Sequence, residues 1–170
     1  NVGYTYMKPF QTKVTVFNTI SNRYEFKGRV LDFEEVMDQE GNFTSYYLCE
    51  SYAAYLHDSM QRHLEFRGSP LQLFTTIIEY HNTQVEDEKK FHVGNVNVTD
   101  PNDYVYIYLS AEQSTWATLQ DKLVNRLGGE ICVREEPDGL YVDYLVEIGG
   151  TSDVEIRLAK NLESNTKKVD

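Results

Sequence analysis

Period-two alternation of apolar and polar positions opens the chain and predicts strands. Residues 12–17, TKVTVF, alternate in this way, and the polar turn NTISN follows. YEFKGRVLDF, residues 24–33, makes a second strand, and the two read as a hairpin. Gly28 inside that strand signals a bulge or a close backbone approach. After the turn Asp38-Gln39-Glu40-Gly41, FTSYYLCE is a third strand. SYAAYLHDSMQRHL is predicted as a helix with Tyr52, Tyr55, Leu56 and Met60 near one face.

A second block starts after Arg67-Gly68. Ser69 is a good N-cap and Pro70 suits the first helical position. Leu71, Phe74, Ile77 and Ile78 give a helical stripe ending near Asn82. Strands FHVGNVNV and YVYIYL follow, separated by the turn Asp100-Pro101-Asn102-Asp103. A second helix runs from Ser114 to Leu127, with Trp116, Leu119, Leu123 and Leu127 as its stripe and Gly128 as its stop. EICVRE and LYVDYLVEI flank Glu136-Pro137-Asp138-Gly139, a hairpin signal. DVEIRLA is a final strand before a polar tail.

This order predicts an α+β fold in two lobes. The first, residues 1–66, is an incomplete β-barrel-like strand lobe ending in a helix. The second, residues 67–163, is a mixed α/β sandwich lobe with two helices, and 164–170 form the tail. The chain opens with neither a start methionine nor a polar leader, so we read it as a fragment of something longer.

Composition narrows the chemistry. Apolar residues make up 41%, enough for a core, and no run is long enough for a membrane span. The formal net charge of −11 argues against a surface that grips duplex DNA. Cys49 and Cys132 lie far apart without metal spacing and read as thiols within strands. Two sequons, at Asn42 and Asn97, matter only in a secreted eukaryotic protein.

The candidates for chemistry are few. His81 and His92 flank a run of acids and lysines. They are either metal ligands, with Glu86 or Asp87, or a helix end turning into a strand. Their spacing is unlike the tight i, i+4 pairs of zinc sites. Cys49 with His57 is a conceivable dyad, and His63 flanks Asp58 on the other side. Glu34–Glu35 and Glu135–Glu136 point to opposite faces of strands and cannot share one bond. No catalytic residue, metal ligand or cofactor is assigned.

Thirteen tyrosines are many for this length, and strand tyrosines suit cross-strand pairs and subunit contacts. Tyr104, Tyr106, Tyr108, Tyr141 and Tyr144 are the candidate oligomer or partner contacts.

The ordered segments KPFQTKVTVFNT, YEFKGRVLDFEEVMDQEGNF, LCESYAAYLHDSMQ, IIEYHNTQVEDEKKFHVGNVNVTDPNDYVYIYL, DKLVNRLGGEICVRE, LYVDYLVEIGG and AKNLES resemble the prophage tail proteins of Gram-positive siphophages. These are also called phage minor structural proteins or prophage endopeptidase tail proteins. The resemblance spans nearly the whole chain and implies a baseplate-hub-like domain that forms a ring, a homotrimer in the virion. It implies the distal tail protein and the tape-measure protein as partners, no sequence-specific nucleic-acid binding, and a tail-tip location. Any hydrolase or receptor-binding domain would lie further C-terminal, and an acidic lining would let DNA slide past.

Overall fold

A computed structural model of the chain describes residues 6–150. The expected strand at 153–159 and the tail at 164–170 lie outside the described residues. Within them the fold is mixed α and β, mostly strand, and its sheets are not closed into a barrel.

Three antiparallel strands come first: β1 (Lys13–Asn18), β2 (Arg23–Met37) and β3 (Phe43–Ser51), in the order β1-β2-β3. The 15-residue β2 serves two hairpins. Residues 23–29 pair with β1, and residues 28–37 pair with β3. The two overlap only at Gly28 and Arg29, so the hairpins point in opposite directions from that crossing. Gly28 is required there: a Cβ would sit 2.0 Å from the Glu50 carbonyl oxygen. The bulge itself lies slightly further on, between Val30 and Asp32. Before Tyr55, Val30 is the one buried apolar side chain among the described residues. The first sheet therefore has almost no core of its own.

Residues 52–63 depart from the expected long helix. Only a 3₁₀ turn forms, Tyr52–His57, and the chain then runs extended. Ser59 accepts the Thr115 N–H at 3.0 Å, and Gln61 donates its N–H to the Gln113 carbonyl at 2.9 Å. Those tertiary bonds outweigh weak helical preference. Tyr55 and Leu56 are buried as expected, but Met60 is exposed.

β4 (Leu64–Gly68) pairs antiparallel with β6 (Val105–Leu109) as a two-stranded ribbon. Between them come α1 (Pro70–Asn82) and β5 (Phe91–Val96). Ser69 and Gln72 close a reciprocal capping box at the start of α1, with Pro70 inside it. The buried stripe of α1 is Leu73, Phe74, Ile77, Ile78 and His81; Leu71, expected in it, is half-exposed. The second helix begins at the Ser114 cap as α2 (Thr115–Leu119), loosens into a π turn (Gln120–Val124), and ends as α3 (Asn125–Leu127) at Gly128, whose φ is 77°.

β7 (Glu130–Glu136) and β8 (Gly139–Leu145) form the last hairpin, and β5 joins β8 in parallel, giving the order β5-β8-β7. Pro137 and Asp138 take the central turn positions, while Gly139, with φ of 146°, opens β8. One buried cluster unites the 3₁₀ turn, the helices and strands β5, β6 and β8 through Tyr55, Leu56, Phe74, Ile77, Phe91, Ile107, Leu119, Val142 and Tyr144.

Candidate functional site

β6 is amphipathic by simple alternation. Val105, Ile107 and Leu109 are buried in the core, and the intervening side chains face outward. Tyr106 and Tyr108 stand on that outer face, 47% and 59% exposed, with Tyr104 just before the strand. Register sets them opposite Arg67 and Glu65 of β4. The Arg67 guanidinium lies over the Tyr106 ring at 4.5 Å and bonds Glu65 at 2.7 Å. Tyr106 donates its hydroxyl proton to Glu65 Oε1 at 3.0 Å, and its hydroxyl also meets that of Tyr108. The two rings pack edge-on, 5.3 Å apart. Arg67, then Tyr106, hold the Glu65 carboxyl below its ordinary range. The result is a pre-oriented aromatic and charged face on a strand fixed from behind by the core.

The other two candidate tyrosines are placed differently. Tyr141 lies on the β5-β8-β7 sheet, against His92 at 4.9 Å and under Arg134 at 4.6 Å, and its hydroxyl bonds Asp138 at 2.8 Å. Tyr144 is fully buried, stacked on Phe74, and donates to the Gly128 carbonyl at 2.7 Å. It is a core residue and cannot touch a partner. The alternation of LYVDYL in fact places Tyr144 on the same face as Leu140 and Val142, the face that the core covers.

His81 and His92 do not converge. His92 is exposed on β5. His81 is fully buried at the end of α1 and joins a one-directional hydrogen-bond chain. Gln61 Nε2 donates to Thr115 Oγ1 at 2.8 Å, Thr115 and Ser59 hydroxyls meet at 2.6 Å, and Ser59 Oγ meets His81 Nδ1 at 2.6 Å. His81 Nε2 faces the Lys89 carbonyl at 3.1 Å and must donate to it. That fixes the neutral tautomer, with Ser59 donating to Nδ1. Ser59 is itself buried, so this Ser–His pair is a joint between elements. Among the described residues no group of three or more His, Cys, Asp or Glu could hold a metal ion.

Burial pushes the His81 pKa down, against smaller upward pulls from the Lys89 carbonyl and Asp58. The unfolded imidazole takes its proton near pH 6.5, and the folded one resists it. Stability is therefore full above pH 6.5 and falls as pH drops below it, by up to about 1.4 kcal/mol per unit. Asp58, whose carboxyl is held low, adds its own loss only below its ordinary value of 3.8. Urea unfolding at pH 7.5 and 5.5 should show this decline, and His81→Phe should flatten the slope between them.

The dyad suggested by Cys49 and His57 is not assembled. His57 packs against Trp116 at 5.9 Å, and Cys49 sits within β3 opposite Val30. Asp58, beside His57, is committed elsewhere. It binds Arg29 through both oxygens, at 2.5 and 2.8 Å, and Lys89 at 3.2 Å. Arg29 also binds Glu50 at 2.6 Å and lies over the rings of Tyr55 and Phe10. Although 3% exposed, it is thus fully partnered. This ion cluster fastens the first sheet to the main core.

A second buried charge was equally unforeseen. Asp143, 3% exposed on β8, accepts from Asn95 N–H at 2.6 Å and from Arg134 Nε at 2.8 Å. Its carboxylate fills the bulge of β5, where a Cβ on Gly94 would come within 1.9 Å of it. The readable signal was an acid in the otherwise apolar LYVDYL, since a buried carboxylate demands donors nearby.

A cleft of about 420 Å³ lies where the sheets meet, between Lys13, Tyr52 and Tyr55 on one side and Glu135 to Leu140 on the other. Its walls carry both signs of charge, and Lys13 already bonds Glu88 across it. No helix among the described residues is long and apolar enough to cross a membrane. No family model matches the chain, and no curated protein or solved structure matches it either.

Proposed function

We infer that the chain is a structural component of a phage or prophage tail tip, hub-like and ring-forming. It joins the distal tail to receptor-binding or lytic domains further along and borders the DNA exit channel. The neighbours in this reading are further copies of the chain in a homotrimer, the distal tail protein and the tape-measure protein. The virion tail tip is its location. Its role is assembly, without a cofactor of its own, and any hydrolase belongs to a further C-terminal domain.

The observation that carries the reading is the outer face of the β4–β6 ribbon. Tyr104, Tyr106 and Tyr108 are exposed in a row, and Arg67 and Glu65 hold the latter two in place. Fixed aromatic side chains lose little freedom on association and favour protein contacts. The resemblance of the ordered segments to prophage tail proteins supplies the kind of assembly. The same row suits a second reading, a saccharide- or receptor-binding face, because an arginine-stacked tyrosine also offers a sugar an apolar plane.

Light scattering over a concentration series tests the first reading. A concentration-dependent trimer is expected, with association at least about tenfold weaker in Tyr106→Ala/Tyr108→Ala. A strict monomer whose Tyr106 fluorescence environment responds to cell-wall saccharide would transfer the site to the second reading.

A further inference from the structure

An antiparallel sheet that faces water commonly carries polar side chains on that side. The β2–β3 hairpin departs from this. Register puts Asp32 opposite Leu48, Glu34 opposite Tyr46 and Val36 opposite Thr44, so these six side chains share one face. On that face Tyr46 and Leu48 are each 60% exposed, and Val36 is 44% exposed. An open hollow of about 360 Å³ lies among Asp32, Glu34, Tyr46 and Leu48. The reverse face is treated differently. There Phe33 stacks on Tyr47 at 5.9 Å and Tyr6 meets Phe33 edge-on at 5.5 Å, so the chain covers part of it itself. A contiguous apolar row left open between acids marks a contact surface.

Charge narrows what covers this face. Residues 30–51 hold Asp32, Glu34, Glu35, Asp38, Glu40 and Glu50, and no lysine or arginine. Two of these acids are committed. Glu50 binds Arg29, and Asp38 accepts the N–H groups of Glu40 and Asn42 in its own turn. Asp32 and Glu34, the two on the open face, form no ion pair among the described residues. Their carboxylates repel the phosphates of a nucleic acid or an anionic lipid surface. A second copy of the chain, with its net charge of −11, brings the same sign. Complementarity therefore asks for a cationic partner with apolar groups.

We propose that this face of the β2–β3 hairpin docks a segment of another protein in which lysine or arginine stands beside apolar side chains. Its cations meet Asp32 and Glu34, and its apolar groups cover Val36, Tyr46 and Leu48. Burial of the apolar row supplies the affinity, while the opposite charges set register and speed encounter. This goes beyond the tail-tip reading and does not depend on it.

Titration of the isotope-labelled full chain with a short peptide alternating lysine and leucine, followed by amide NMR shifts, tests the proposal. Shifts should centre on residues 32–36 and 44–48, and a peptide alternating glutamate and leucine should cause none. Asp32→Lys/Glu34→Lys should weaken binding at least about tenfold, and so should Tyr46→Ser/Leu48→Ser, which leaves the charge intact. All four side chains are exposed, so both variants keep the fold. Glu79→Lys/Glu112→Lys reverses two exposed acids elsewhere and should leave binding unchanged. An equal loss in that control would overturn the proposal, because attraction to the whole acidic chain would then explain the binding. Undiminished binding by Tyr46→Ser/Leu48→Ser would overturn it too. Shifts at 44–48 that follow protein concentration without peptide would overturn it by assigning the face to a second copy.

Discussion

Arg29→Ala should cost about 3 kcal/mol of stability, the larger part of it in the attachment of the first sheet. Arg29 is 3% exposed, and its removal strands the carboxylates of Asp58 and Glu50, whose side chains are about one-fifth exposed. Breaking a buried pair from one side costs about 3–5 kcal/mol, and the partial exposure of the acids sets the lower end. Lys89 still faces Asp58 but cannot replace a two-pronged guanidinium. Urea unfolding followed by circular dichroism measures the loss. Neutralising the acids as well, in Arg29→Met/Glu50→Gln/Asp58→Asn, should recover about half of it. A single Arg29→Ala that unfolds like wild type would mean that water already solvates this cluster.

Gly28→Ala should be as damaging, for a steric reason. The added Cβ meets backbone, the Glu50 oxygen at 2.0 Å and its carbon at 2.8 Å, so β2 and β3 must separate where the hairpins cross. We expect about 3 kcal/mol, at the upper end of overpacking costs. The effect should be confined. Trp116, the one tryptophan, packs against the main cluster, so its fluorescence should report an almost unchanged transition. Amides of β2 and β3 should lose protection well before it. A common shift of both signals would show that the sheet and the core unfold as one unit.

Much of the secondary structure is legible in the sequence, because its signals are local. Alternation marks β1, β2, β3, β5 and β6, and Ser69-Pro70 and Ser114 mark helix starts. Failures occur where distant partners decide. The segment after His57 has helical spacing, yet Ser59 and Gln61 are drawn into bonds with His81, Thr115 and Gln113. Leu71 fits the helical stripe as well as Leu73 does, and only the position of the sheets under α1 separates them. Tyr144 is a different case: the parity it shares with Leu140 and Val142 already marks it as a core residue, and it stacks on Phe74. Arg29 is the hardest case. Its partners lie 21 and 29 residues away, and nothing local distinguishes it from a solvated strand arginine. The candidate face at Tyr106 and Tyr108 is legible as residues, but not its arrangement, because Arg67 and Glu65 reach it through the β4–β6 register.

β2 belongs to both hairpins, and its 15 residues cover about 50 Å of unbroken backbone. Register shifts near Glu25 and between Val30 and Asp32 bend it, but the strand runs on through both. Whatever docks at the Ile20 end is held at a set distance from whatever docks at the Met37–Phe43 end. This strut is fastened to the body near its middle, where Lys27 pairs with Glu135 of β7 and Arg29 with Asp58. The first sheet thus acts as a calliper held near its middle, spacing two neighbours by the length of a single strand.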